Sequence, residues 1–342
     1  MRVGAAALAV TLLLAACGDA APSTPPPAVL VVAGRQVDFV AELSAGFVEG
    51  VRRVPGVGHR AVGPDIVDNA SELRTIQDYL SGERGSITLF TFAPELFADS
   101  LGRAATAGTP VVALHSVPAA GSGVPLYIGN DNRALGGELG RTMAGRWPVD
   151  AEGLVVIGSP YPGVIVLDER VAGLREAIQR LRPGVTVIGP FDTKQAPGAN
   201  KQAWRVLQEA NPDALAFIGV GGADAHSLAL LRDPTTTRVD GGFGTDPYAL
   251  EMTAAGDMVL LSTEPYLQGL LAGAIQARCA KEGRDLPTGW LPAPGVLIDQ
   301  ARAPGVIDRQ KNAEARQAWF APLAEEILGD LDDRLRPLDD AR

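Results

Sequence analysis

From residue 29 onward the chain repeats one rhythm: short apolar, β-branched runs alternate with longer segments whose apolar positions recur every three or four residues. Val29–Ala33 is the first short run. In the segment after it, Phe39, Val40, Leu43, Phe47 and Val51 fall on one helical face, which predicts a helix over 39–54. Further strands are predicted near 60–66 and over 86–92, 111–114, 126–128, 153–158, 186–189, 214–220, 239–243 and 258–262. Helices are predicted between them, among them 71–80, 95–107, 134–146, 169–182, 199–209, 225–232, 248–255 and 266–280. The strands read as continuous apolar runs instead of alternations, the mark of parallel sheets covered by helices on both faces. The expected fold is α/β, with two doubly wound parallel-sheet lobes. Past Pro304, the residues Trp319, Phe320, Leu323, Ile327, Leu331 and Leu335 step by three and four. This predicts an amphipathic helix with Pro322 near its first turn, either packed on the body or facing a partner.

The first residues depart from this rhythm and bear on compartment. Met1-Arg2 is a minimal positive start, and Val3–Ala16 is an apolar or small-residue run ending at Cys17. About 14 residues is short of the roughly 20 that a spanning helix needs, so the run reads as the apolar part of a signal. Leu14-Ala15-Ala16-Cys17 resembles a bacterial lipobox, which implies cleavage before Cys17 and lipidation of that cysteine. The stretch Ala20–Ala28 carries four prolines and reads as a stiff spacer between lipid and folded body. An extracytoplasmic, lipid-anchored protein is expected.

Composition removes whole classes of function. Forty acidic against 30 basic residues give a formal net charge of −10 over 342 residues, which argues against phosphate-backbone binding and nucleic-acid partners. Two cysteines make no disulfide framework, and three histidines leave little for a metal site, so neither metal nor cofactor is expected. Motifs of covalent chemistry are missing too. No G-x-S-x-G elbow, no G-x-x-x-x-G-K-[ST] cradle and no H-E-x-x-H occurs. The nearest dinucleotide candidate, Gly219-Val220-Gly221-Gly222-Ala223-Asp224, places an acid where the third glycine belongs. The expectation is a binding protein, with a surface lipoprotein hydrolase as the weaker reading.

Several segments in order carry a resemblance. Gly34-Arg35-Gln36-Val37-Asp38-Phe39, Thr109-Pro110-Val111-Val112-Ala113-Leu114, Asp131-Asn132-Arg133-Ala134-Leu135-Gly136, Arg170-Val171-Ala172-Gly173-Leu174, Phe243-Gly244-Thr245-Asp246 and Thr263-Glu264-Pro265 are the six. Together they resemble the type I periplasmic binding proteins of sugar transporters, the ribose-binding-protein-like group, over about Val29–Ala303. The resemblance implies an N-terminal lobe of residues 29–130 plus 264–293 and a C-terminal lobe of 131–263 plus 294–303. A three-stranded hinge would join them, after a leader (1–16) and a spacer (17–28), and 304–342 would be a helical extension.

The same resemblance implies a sugar or sugar-like ligand held between the lobes and offered to the membrane permease of an ABC importer by a monomeric binding protein. A sensor subunit for a histidine kinase or chemoreceptor is the alternative use of the fold. By resemblance Phe39 would stack on a sugar face, and Arg170 and Asp246 would bond hydroxyls jointly from the second lobe; a guanidinium and a carboxylate can also pair with each other in an empty cleft. Departures from the family are His115-Ser116 where an Asp-Arg pair is expected, Ala223-Asp224 in place of Asn-Asp, and Thr263 in place of Gln. Asp224, Thr263 and His115 are therefore candidate contacts, His115 being either a ligand donor or a satisfied buried histidine. Tyr161 and Phe191 are candidate stacking residues or lid packing. Fewer forked donors and acceptors remain than in the ribose receptors, which opens the site to other polyols, other sugars or a non-sugar ligand.

Overall fold

A computed structural model describes residues 25–82 and 85–341. The apolar leader, Cys17 and most of the proline-rich spacer lie outside these residues.

The described chain forms two six-stranded sheets, each wrapped by helices. The first half builds β1 (Ala28–Val32), α1 (Asp38–Arg52), β2 (His59–Val62), α2 (Asn69–Gly82), β3 (Ile87–Phe90), α3 (Pro94–Thr106), β4 (Val111–Leu114) and β5 (Leu126–Gly129). The chain then passes to the second sheet through α4 (Asn132–Ala144), β6 (Gly153–Ser159), α5 (Ile165–Leu181), β7 (Val185–Asp192), α6 (Pro197–Ala210) and β8 (Ala216–Gly219). That lobe continues with α7 (Gly222–Leu231), β9 (Asp240–Phe243), α8 (Pro247–Ala255) and β10 (Met258–Ser262). Helix α9 (Pro265–Glu282) and β11 (Gly289–Pro292) return to the first lobe, and β12 (Val296–Ile298) belongs to the second. The sheet orders are β2-β1-β3-β4-β5-β11 and β7-β6-β8-β9-β10-β12. Each reverses direction of growth beside its first strand, the switch point at which open α/β sheets bind ligands beyond their carboxyl ends.

Strand burial accounts for this arrangement. All five residues of β1 are buried, with Leu30 and Val32 in the core under α1 and α9, and Val29 and Val31 in the core under α2 and α3. A strand apolar on both faces is stable only between two helical layers. One strand departs from the parallel expectation: β12 pairs antiparallel with β10. It enters from the other lobe through the short crossing 293–295, with no crossover helix of the kind a parallel partner requires.

The helical end also differs from its prediction. Asn312 caps α11 (Ala313–Gly329) by accepting from the Ala315 N–H at 2.8 Å, so the helix starts six residues before Trp319. Pro322 consequently lies inside it. Phe320, Ala324, Ile327 and Leu328 join the core of the first lobe, whereas Ala303 and Val306 of α10 (Ala303–Gln310) join a core of the second. The segment therefore straps the two lobes together. Helix α12 (Leu331–Arg334) follows, with Leu331 and Leu335 packed on the same first-lobe core.

Glu72 of α2 is fully buried, accepts from Thr91 Oγ1 at 3.1 Å through Oε2 and has no partner for Oε1. Burial pushes its carboxyl up to about 8, against the weaker downward pull of the Thr91 bond. The folded protein thus holds a proton there that the unfolded chain releases near its ordinary value. The contribution of Glu72 to stability is expected to fall as pH rises from about 4.5 towards 8, by about 1.4 kcal/mol per unit, and then to level off. Glu72→Gln removes that contribution, so the stability difference between variant and wild type in urea should change by about 1.4 kcal/mol per pH unit over this range.

Candidate functional site

The packing of α4 on α5 sets the charge at the centre of the cleft. A Cβ at Gly136 would sit 2.1 Å from the carbonyl oxygen of Arg170, and one at Gly173 would sit 2.0 Å from that of Arg133. Only glycine lets the two helices touch backbone to backbone there. Their approach brings Asn132 Oδ1 to 2.8 Å from Arg170 Nε, while Nη1 donates to the Val220 carbonyl at 2.8 Å. The guanidinium lies over the Phe243 ring at 4.6 Å and is only 4% exposed. Its Nη2 has no hydrogen-bond partner.

Arg170 lines a cavity of about 60 Å³ between the lobes. The first lobe supplies Val37 and Phe39 after β1, Phe92 after β3 and His115 after β4. The second supplies Pro160 and Tyr161 after β6, Gln195 after β7, Gly221, Gly222 and Ala223 after β8, and Phe243 and Gly244 at the end of β9. Thr263, at the crossing after β10, closes the ring. These contributors stand at or just past the carboxyl ends of strands, as the switch-point rule requires.

The first-lobe wall is aromatic. Phe39 sits 5.2 Å edge-on to Phe90 and 4.7 Å from the His115 ring, tilted by 32°. Phe92 reaches across the cleft to Tyr161 at 5.1 Å. His115 is buried in the left-handed region at φ 65°, with Nδ1 3.2 Å from Gln268 Oε1. Gln268 Nε2 already donates to Asn130 Oδ1 at 2.9 Å and to the Thr263 carbonyl at 2.6 Å, so its oxygen is the acceptor and Nδ1 is the donor. Nε2 is left as an acceptor. Burial, reinforced by the Arg170 charge, holds the imidazole down to about 3, so it is neutral at physiological pH; the Gln268 bond opposes this only in part. Burial also draws the Arg170 guanidinium down to about 10, still charged at neutral pH.

Two expected contacts have other partners. Asp224 is fully buried and outside the lining. Its Oδ1 accepts from Thr193 Oγ1 at 2.6 Å, Asn200 Nδ2 at 2.9 Å and Trp204 Nε1 at 2.9 Å, and its Oδ2 accepts from the Gly221 N–H at 3.0 Å. Held by these four donors, it braces the Gly221 loop from behind. Burial moves its carboxyl above the ordinary range, opposed by those donors. Asp246 caps α8 through the Ala249 N–H at 3.1 Å and meets His226 Nδ1 at 2.9 Å. It lines an adjoining compartment at the cleft mouth with Phe39, Glu42, Thr245 and Thr263, so the expected Arg170–Asp246 pair does not form. Phe191 lies at the end of β7, 38% exposed and outside both linings.

Across that mouth Glu42 of α1 accepts from Thr245 Oγ1 at 3.2 Å and from Gln310 Nε2 at 2.9 Å. The first lobe, the second lobe and α10 meet in this one cluster, and burial raises the Glu42 carboxyl. Sequence reasoning missed Val37, Phe92, Gln195, Phe243 and the Gly221–Ala223 turn. The available signal was positional, since each ends an apolar strand run or lies within five residues after a strand.

The family profile described as "Periplasmic binding protein domain" matches residues 28–283. No curated protein matches the sequence. Among solved structures, a glucose-galactose binding protein from Geobacillus stearothermophilus superposes with a TM-score of 0.70 at 20% identity, covering 81% of this chain and 98% of its own. A solute-binding protein of an ABC transporter from Burkholderia graminis, in complex with D-arabinose, gives 0.72 at 19% identity over 81% and 96%. Another from Agrobacterium vitis, with bound D-fucose, gives 0.72 at 16% identity over 85% and 98%.

Proposed function

This chain belongs to the periplasmic binding protein domain family, and from that premise we propose that it is the extracytoplasmic substrate-binding subunit of an ABC importer. It takes one small molecule, a sugar or sugar-like solute, between its lobes and closes on it by a hinge. The closed form then docks on a membrane permease, with Cys17 as the lipid anchor that keeps the monomer at the membrane. Among the described residues no helix is long and apolar enough to cross a bilayer.

One observation carries the reading: a buried guanidinium with an unpartnered Nη2 lines a cavity built from the strand ends of both sheets. An aromatic wall suits the C–H face of a ring, and charge-assisted bonds select polar substituents in a partly desolvated cleft. The solutes bound by the similar proteins support the size class. No covalent step is required, because selectivity arises when the wrong ligand leaves buried polar groups unpaired.

A thermal-shift screen over sugars, polyols and their derivatives should find a solute that raises Tm, since only the folded state binds it. Arg170→Ala should weaken that solute by about 10- to 150-fold in calorimetric titration. The variant also leaves Asn132 Oδ1 and the Val220 carbonyl without their donor, so it should melt earlier and be titrated well below its own Tm. Affinity within twofold of wild type would remove Arg170 from the site.

A further inference from the structure

Counting charge around the cavity gives an uneven result. Among the residues whose side chains are described, Arg170 is the sole Lys, Arg, Asp or Glu in its lining. A buried cation normally has a carboxylate beside it, since desolvation alone is costly. Here the guanidinium is held by an amide oxygen, a backbone carbonyl and an aromatic face, all uncharged. The nearby acids whose side chains are described are otherwise engaged. Asp224 accepts from four protein donors, Glu264 is paired with Arg309, Asp246 meets His226, and Glu42 is bonded to Thr245 and Gln310 at the mouth. His115, where an acid could have stood, is neutral. Gly222 and Ala223 open α7 against the same cavity, where backbone N–H groups lack intrahelical acceptors. Asp224 at the third position of that helix offsets part of its dipole, which leaves Arg170 as the charge a ligand must answer.

We propose that the physiological ligand is an anion, a carboxylate-bearing molecule of monosaccharide size such as a sugar acid, whose carboxylate completes the missing ion pair with Arg170. The proposal rests on the solute-binding reading above and narrows it. The carboxylate takes Nη2, and a ligand hydroxyl donates to His115 Nε2. Phe39 and Phe92 cover the C–H face. A neutral sugar would leave the buried charge uncompensated.

The test uses matched pairs: D-galacturonate with D-galactose, D-glucuronate with D-glucose, and D-gluconate with D-glucitol, each titrated calorimetrically into the full chain. At least one acid should bind about 10-fold or more tightly than its neutral partner. Arg170→Gln, which keeps a polar group of similar reach, should bring that acid to within about threefold of the neutral partner. His115→Asp is an independent second variant, suited to the left-handed backbone at that position, and supplies the pocket with a carboxylate of its own. It should reverse the preference towards the neutral compound. Neutral compounds binding as tightly as their acids would overturn the charge inference and leave the solute-binding reading standing. Binding by neither member of any pair would overturn the sugar-acid assignment; a Tm rise with some other solute in the wider screen would then show that the solute-binding reading survives.

Discussion

Glu264→Gln is expected to destabilise the protein by about 3–5 kcal/mol, a large effect for a change that alters almost no volume. Glu264 lies where the chain crosses from β10 to α9, in the left-handed region at φ 53°, and is 1% exposed. Arg309 on α10 grips it with both ends of the fork: Nη1 to Oε2 at 2.8 Å and Nη2 to Oε1 at 2.7 Å. The guanidinium also lies 4.9 Å from the Phe320 ring centre. Taking the charge from Glu264 strands a buried cation, and the penalty comes from that stranded charge more than from the net worth of the pair. A double variant, Glu264→Gln with Arg309→Met, should therefore recover most of the loss. Urea denaturation of the four members of the cycle measures this directly. A single variant within about 1 kcal/mol of wild type, or a coupling near zero, would falsify the view that this pair ties the terminal strap to the hinge. Gln310, the next residue, bonds Glu42 and Thr245, so the same disturbance should reach the cleft mouth.

How much of this was readable in advance divides along a physical line. Strand and helix alternation depends on local periodicity, and continuous apolar runs such as Ala28–Val32 declare burial on both faces by themselves. The Asp131–Gly136 and Arg170–Leu174 segments were legible for a concrete reason: their glycines mark the backbone contact that seats Arg170 on Asn132. The fate of polar side chains was much less legible, because it is decided by partners far off in sequence. Asp224 looks like any acid after a glycine turn until Thr193, Asn200 and Trp204, between 20 and 31 residues away, are seen to converge on it. Asp246 behaves similarly, being claimed by His226 and by its own helix. Pro322 misled by a different route. Proline is common in a first turn, yet α11 begins at Ala313, and the capping amide of Asn312 before it is a stronger start signal than the proline's position. The antiparallel β12 had no local mark, since three residues carry no direction.

Asp224→Ala should cost about 4 kcal/mol or more, comparable with breaking the hinge pair, although the residue touches neither cavity nor solvent. Four donors converge on its carboxylate, and each buried donor left without an acceptor costs about 1–3 kcal/mol. The loss also empties the space between Trp204 and the Gly219–Gly221 turn, where the Asp224 side chain packs closely enough that a Cβ on Gly219 would lie 2.1 Å from its own Cβ. Asp224→Asn should cost less than alanine, because one oxygen still accepts, while its amide hydrogens face donors. The effect should extend to binding. Asp224 holds the Gly221 N–H, and Gly221, Gly222 and Ala223 form part of the cavity wall, so a relaxed turn reshapes the site without removing any group that touches ligand. Asp224 is thus a positioning residue. For whichever solute raises Tm, the asparagine variant should lose affinity while keeping the acid-over-neutral preference that Arg170 sets. Equal stability of Asp224→Ala and wild type in urea would show that Thr193, Asn200 and Trp204 find other acceptors, and the brace assigned to Asp224 would not exist.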